Sequence, residues 1–201
     1  MQDIDPKLLI IFEKIGLENK SIDEKGNIGK QFAQQNIHDL YAAINYIHNL
    51  KYQPPSEPFN WNLVIPEQRG TCSTRHALLV VLAQENHIPF TLGQAIYNLT
   101  PEKFPIIRSL LEKYKLPFIL ESHNFIIFKD YFLDSTFPGN AALLCKHDVE
   151  SVKPIDCGEL LHEKTVLYPQ FLKQWLKQYG NMTLDEYAVF HREVIDLLGG
   201  Q

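Results

Sequence analysis

Hydrophobic residues recur along this chain with two periods, and the changes between them mark out its elements. Asp5-Pro6 reads as an N-cap with proline at the first helical position. Leu8, Leu9, Ile11, Phe12 and Ile15 then predict a short amphipathic helix that stops near Gly16. Residues 18–30 are polar, carry two glycines and read as a loop. Phe32, Ile37, Leu40, Tyr41, Ile44 and Ile47 keep a helical period, predicting a helix over 30–50. Pro54, Pro55 and Pro58 end it, and an irregular stretch over 59–70 leads to Cys72. A helix is predicted from Cys72 to about Asn86, with Thr71 as N-cap and Ala77, Leu78, Val81 and Leu82 as its buried stripe, broadened by Val80. Phe90 to Tyr97 predicts a strand. Thr100-Pro101 starts a helix that buries Ile106, Ile107, Leu110, Leu111 and Tyr114. Strands follow over 117–128 and 131–137, joined by a tight turn at Lys129-Asp130. After Pro138-Gly139 the pattern is mixed. A helix near 169–179 carries Phe171, Leu172, Trp175 and Leu176. A last helix opens on the capping box Thr183-Leu184-Asp185-Glu186 and ends at Gly199-Gly200.

Helices before and after an antiparallel sheet of at least three strands make the chain α+β. Its 201 residues suit one domain, and 45% hydrophobic residues suffice for a packed core. Net charge is −5, with both signs interspersed, so no basic block points to nucleic acid. No run of about eighteen apolar residues predicts a membrane span. The opening Met1-Gln2-Asp3-Ile4-Asp5 has no signal-peptide pattern. Three cysteines, an odd number, argue against a disulfide scaffold, so reduced thiols and a cytoplasmic location are expected.

Those thiols bring in the chemistry. Cys72 sits in Arg69-Gly70-Thr71-Cys72-Ser73-Thr74-Arg75-His76, where a loop becomes a helix. Unpaired amides and the positive dipole end at a helix start favour thiolate, and the Cys72 amide is a candidate oxyanion donor. A lone cysteine is as readily a small buried hydrophobe, so position alone leaves both readings open. The hairpin adds to it. With a two-residue turn at Lys129-Asp130, Phe128 faces Tyr131, His123 faces Thr136 and Phe125 faces Asp134. His123 and Asp134 are then diagonal neighbours on one face, roughly 7–8 Å apart. A one-residue slip would part them. Phe125, Ile127 and Phe132 share that face, so it is expected to be buried, with the Cys72 helix as its cover. Two polar groups in such a face need a partner, and each other is the nearest. Cys72, His123 and Asp134 thus form a candidate triad of nucleophile, base and orienting carboxylate.

At these residues the chain resembles the transglutaminase-like superfamily of the papain-like fold. Gly70-Thr71-Cys72 opens the helix, His123 stands for the histidine that members carry at the start of a strand, and Tyr131-Phe132-Leu133-Asp134-Ser135-Thr136 carries the aspartate. The match covers roughly 60–140, which would be the catalytic core, with 1–55 a helical extension of the same domain. The resemblance implies a nucleophile helix packed on an antiparallel sheet. It also implies acyl transfer or amide hydrolysis through a thioester, on a peptide, protein or small amide substrate, as in a peptidase, deamidase or amidase. No cofactor is needed, and no carboxylate cluster demands calcium. Two features depart from the family. Asn124-Phe125 follows His123 where family members often have the pattern His-x-Trp. Pro66 stands where papain relatives place an oxyanion-hole glutamine, leaving Trp61, Gln68, Thr71 and Asn124 as candidate oxyanion or substrate residues. The same triad order resembles the arylamine N-acetyltransferases, though that family has a longer chain and Gly-Gly before its cysteine. A catalytically silent binding module is the non-enzymatic alternative.

Other polar residues are read more plainly. His76, four residues after Cys72, is a core residue or a support for the triad, since two ligands alone hold no zinc. Cys145, Cys157, His147 and His162 match no standard zinc spacing. Arg75 is a surface or helix-pair residue more readily than a carboxylate binder, and the helix bearing Trp175 and Tyr179 is core or interface.

Overall fold

Capping explains where the first helices begin and why one expected helix becomes two. The computed structural model describes residues 3–136, 142–144, 149–179 and 182–199. Asp5 caps α1 (Pro6–Ile15) by accepting the Lys7 N–H, and Gly16 ends it at φ 60°. The pattern over 30–50 divides into α2 (Asn27–Ala33) and α3 (Leu40–His48). Asn36 takes a left-handed φ of 57°, and the Asp39 carboxylate accepts the Ala42 N–H at 2.9 Å, starting a new helix inside a continuous apolar period.

A parallel pair, β1 (Lys51–Tyr52) and β2 (Arg69–Gly70), brackets the short helix α4 (Val64–Glu67) and delivers the chain to α5 (Cys72–Glu85). The side chains buried along α5 run from Cys72 through Val80 to Ala83, so this helix is enclosed nearly all round where a single stripe was expected. β3 (Thr91–Leu99) follows. Pro105 then opens a 3-10 turn that leads into α6 (Arg108–Tyr114), which starts eight residues later than predicted. β4 (Ile119–Phe128) and β5 (Tyr131–Asp134) form the hairpin. Next come β6 (Ala142–Leu143), β7 (Val149–Ile155), α7 (Leu160–His162), a π-helical turn over Glu163–Leu167, α8 (Tyr168–Tyr179) and α9 (Leu184–Gly199). The expected strand end at Phe137, the Pro138-Gly139 turn, Cys145, His147 and Gly200 lie outside the described residues. Among the described residues, no helix is long and apolar enough to cross a membrane.

The sheet is antiparallel in the order β6-β5-β4-β3-β7. Its hairpin pairs Phe128 with Tyr131 and Ile126 with Leu133, the register read from the two-residue turn. Two cores lie on its two faces. Leu92, Ile126, Phe128 and Leu133 pack with α5 and the N-terminal helices, including Leu8, Phe12, Phe32 and Ile44. Ala95, Tyr97 and Phe125 pack with α6, α8 and α9, including Leu111, Trp175, Tyr187 and Phe190. This corrects one expectation: the face of Phe125, Ile127 and Phe132 is covered by the C-terminal helices, while α5 lies on the Asn124 and Ile126 face.

Candidate active site

Cys72 is the first residue of α5. Thr71 precedes it as N-cap, with the Thr74 hydroxyl accepting the Thr71 N–H at 3.1 Å. The first amides of the helix have no partner within it, so they surround the thiol with donors. Ser73 anchors this end on the sheet: its Oγ donates to Asn124 Oδ1 at 2.8 Å, and Asn124 Nδ2 donates to the Gly93 carbonyl at 3.1 Å. Gly93 is required there, because a Cβ would lie 2.5 Å from Phe125 Cε2.

His123 and Asp134, set on one face by the register, meet at Nε2–Oδ2 2.9 Å. The other Asp134 oxygen accepts the Thr136 N–H at 2.9 Å and the Thr136 hydroxyl, an Asx-type turn that fixes the carboxylate. Nε2 of His123 is taken, so Nδ1 is the ring nitrogen left for the Cys72 thiol beside it. Tyr97 lies with its ring 5.6 Å from the imidazole. All three side chains are withdrawn from solvent: Cys72 is 4% exposed, His123 5% and Asp134 9%.

The charges arranged here favour an ion pair. Burial raises the Cys72 thiol, but the His123 charge, the Lys164 charge and a hydrogen bond with His123 outweigh it and bring it down to about 7. Burial opposes a charged His123, but Asp134 and then Cys72 carry it up to about 10. Burial likewise opposes the Asp134 carboxylate, and the His123 charge holds it well below the usual carboxylate range. Between these limits the stable pair is thiolate and imidazolium, with Asp134 ionised.

Supporting residues fix the segment Asp134-Ser135-Thr136. His76 Nε2 accepts the Ser135 N–H at 3.1 Å, and burial pushes this imidazole down to about 4, so it is neutral. His48 Nδ1 lies 3.0 Å from the Ser135 carbonyl. Arg75 is fully buried and is a clamp, neither a surface residue nor free for a carboxylate. Its guanidinium donates to the carbonyls of Gly70 at 2.9 Å, Thr136 at 2.6 Å, Leu50 at 2.5 Å and His48 at 3.3 Å. His76 is thus a support for the site. Among the described residues, no three His, Cys, Asp or Glu side chains gather as a metal would require.

The candidate oxyanion residues are dispersed. Asn124 is consumed by Ser73 and Gly93, so its amide is a structural tie. Gln68 is exposed at the left-handed C-cap of α4, and Trp61 packs against the N-terminal core. Thr71 remains beside Cys72 as the N-cap. Sequence reading missed Thr136, which the Asp-Ser-Thr turn pattern could have flagged. It also missed Glu121, Lys164 and His191, whose charges reach the thiol from separate elements and leave no local motif. No protein-family model, curated protein or solved structure matches the chain.

Proposed function

We propose that the protein is a cysteine-nucleophile enzyme of transglutaminase-like type, acting by acyl transfer or hydrolysis at an amide. The observation that carries this reading is His123 held by Asp134 at 2.9 Å while lying beside a thiol at the start of a helix. In this scheme the Cys72 thiolate attacks the carbonyl carbon, and the π electrons of the C=O move onto oxygen. The amides of Cys72 and its neighbours in the first turn of α5 stabilise that oxyanion. His123, protonated, delivers its proton to the leaving amine as the C–N bond breaks and a thioester forms. Water or a second amine, deprotonated by the now neutral imidazole, displaces the thiolate. Asp134 keeps the Nε2 proton in place, so the working nitrogen is always Nδ1.

The test is the pH profile of Cys72 alkylation by iodoacetamide, in wild type and in His123→Ala. The reading expects fast alkylation well below pH 8.5 that slows on removal of His123. An ordinary thiol profile, unchanged by the substitution, sinks it. If the pair is present, dependence of product on added amine separates transferase from hydrolase. Turnover of acetyl-CoA would point to the arylamine acetyltransferase variant.

A further inference from the structure

Burial of the triad raises a geometric question, since a carbonyl carbon must come within about 3.5 Å of the sulfur before it reacts. Cys72 is only 4% exposed, so most of its surface is covered by neighbouring residues. The residues just before His123 on β4 show what covers this side. Tyr168 Oη donates to the Leu120 carbonyl at 2.5 Å, and Lys164 Nζ donates to the Ser122 carbonyl. Two strands away, beyond β3, Lys153 Nζ on β7 meets Glu163 Oε2 at 2.7 Å. Glu163, Lys164 and Tyr168 all belong to one short strap, the π-helical turn and the first turn of α8.

This strap is held differently from the helices that follow it. Leu172, Trp175 and Leu176 are buried in the core against the sheet. Val166 and Phe171 are 44% and 50% exposed, so much of the strap's apolar surface faces away from the core. π-helical turns are rare and occur frequently at functional sites. Under the strap runs a cleft of about 100 Å³, with Glu163, Leu167 and Tyr168 on one wall and Gln94, Ser122 and Lys153 on the other. Gln94 and Ser122 are buried and joined by a 2.9 Å hydrogen bond from Gln94 Nε2 to Ser122 Oγ. Ser122 is two residues from Asn124, on the face where Ser73 anchors the start of α5. The cleft thus shares β4 with the tie that anchors the start of α5, and Lys164 on the strap is near enough to Cys72 for its charge to favour the thiolate.

We propose that the strap over 163–171 is the gate of the Cys72 site, and that the cleft beneath it is the groove an acyl substrate enters once the strap lifts. This rests on the thiol-nucleophile reading. Side-chain ties from Glu163, Lys164 and Tyr168 hold the gate, Tyr168 Oη also lying 3.5 Å from Tyr187 Oη. A groove floored by a carboxamide and a hydroxyl, and walled by leucine and tyrosine, suits a main-chain amide with an apolar neighbour.

The experiment compares alkylation of Cys72 by iodoacetamide and by a bulky maleimide, read on the Cys72 peptide and expressed as a ratio to the unfolded chain. Wild type is set against Tyr168→Phe, which keeps the ring and loses the hydroxyl's ties to the Leu120 carbonyl and Tyr187, and against Tyr168→Phe with Glu163→Gln. The proposal expects strong protection from the bulky reagent in wild type. The double variant should raise the bulky-to-small ratio about tenfold or more, with faster amide hydrogen exchange over 163–171 and little change in melting. A bulky reagent that already reacts as readily as iodoacetamide in wild type overturns the gate. So does a ratio unmoved in the variants while exchange over the strap increases. If iodoacetamide shows an ordinary thiol pH profile in every variant, the nucleophile reading fails, and the ratio still reports on the gate.

Discussion

Replacing Asp134 by Asn tests the electrostatics of the site at its deepest group. Asparagine keeps an oxygen for the Thr136 N–H and is nearly isosteric, so the turn should survive. Its NH2 would then face His123 Nε2, which can only accept, and the ring proton must move to Nδ1 beside the thiol. A neutral imidazole in that tautomer cannot take the Cys72 proton. Coulomb attraction across 2.9 Å is about 6 kcal/mol at an effective dielectric of about 20. That exceeds the ~3 kcal/mol separating a thiol at about 7 from one at about 9, so losing it is sufficient to dissolve the pair. At pH 6 a thiol titrating near 7 is about one-tenth thiolate, and an unassisted one about a thirtieth to a hundredth of that. Asp134→Asn is therefore expected to slow iodoacetamide alkylation of Cys72 at pH 6 by about 30- to 100-fold and to leave the rate at pH 10 within about threefold. The assay is time-resolved peptide mapping. Cys157, which burial pushes up to about 12, serves as the internal control. A folded variant whose pH 6 rate stays within about threefold of wild type refutes the reasoning.

Three further outcomes are expected. Arg75→Met leaves the carbonyls of His48, Leu50, Gly70 and Thr136 without their donor, and urea denaturation should show a loss of about 3–5 kcal/mol. A loss under about 1 kcal/mol contradicts the clamp. Gly93→Ala drives a methyl to 2.5 Å from Phe125 Cε2 and 2.9 Å from Ile127 Cγ1, so thermal melting should show about 1–3 kcal/mol of destabilisation. Stability should also depend on pH in two directions, measured by denaturation across the range. Asp134 is held below its unfolded value, so its contribution is present above about pH 4 and lost as pH falls. His123 is raised to about 10, so its contribution is full below about pH 6.5 and lost as pH rises through 10. A flat profile in His123→Ala at high pH, where wild type declines, would assign the alkaline limb.

The hairpin was legible because two local constraints agreed. A two-residue turn at Lys129-Asp130 fixes the pairing, and alternation along 119–128 fixes the faces. Together they bring His123 to Asp134 without any knowledge of the rest of the chain. What covers those faces was not legible. An apolar face announces that something packs on it, and α5 was the nearest helix in sequence, but α8 and α9 fill that place with Trp175, Tyr187 and Phe190. Arg75 was misread for a related reason. Charged and polar residues on a helix normally mark its solvent side, whereas α5 is enclosed, and its polar residues are satisfied by carbonyls and amides from distant loops. The break between α2 and α3 turned on one left-handed asparagine and one capping aspartate inside an unbroken apolar period.

The order of the elements along the chain sets a timetable for synthesis. His123 and Asp134 leave the ribosome before any part of the strap, and α9 begins some sixty residues after His123. At about 5–20 residues per second, the helix with Cys72 and the hairpin that bears its partners have several seconds to meet before their final neighbours exist. Until α8 and α9 are made, the face of Ala95, Tyr97 and Phe125 that Trp175, Tyr187 and Phe190 come to fill has no cover from them.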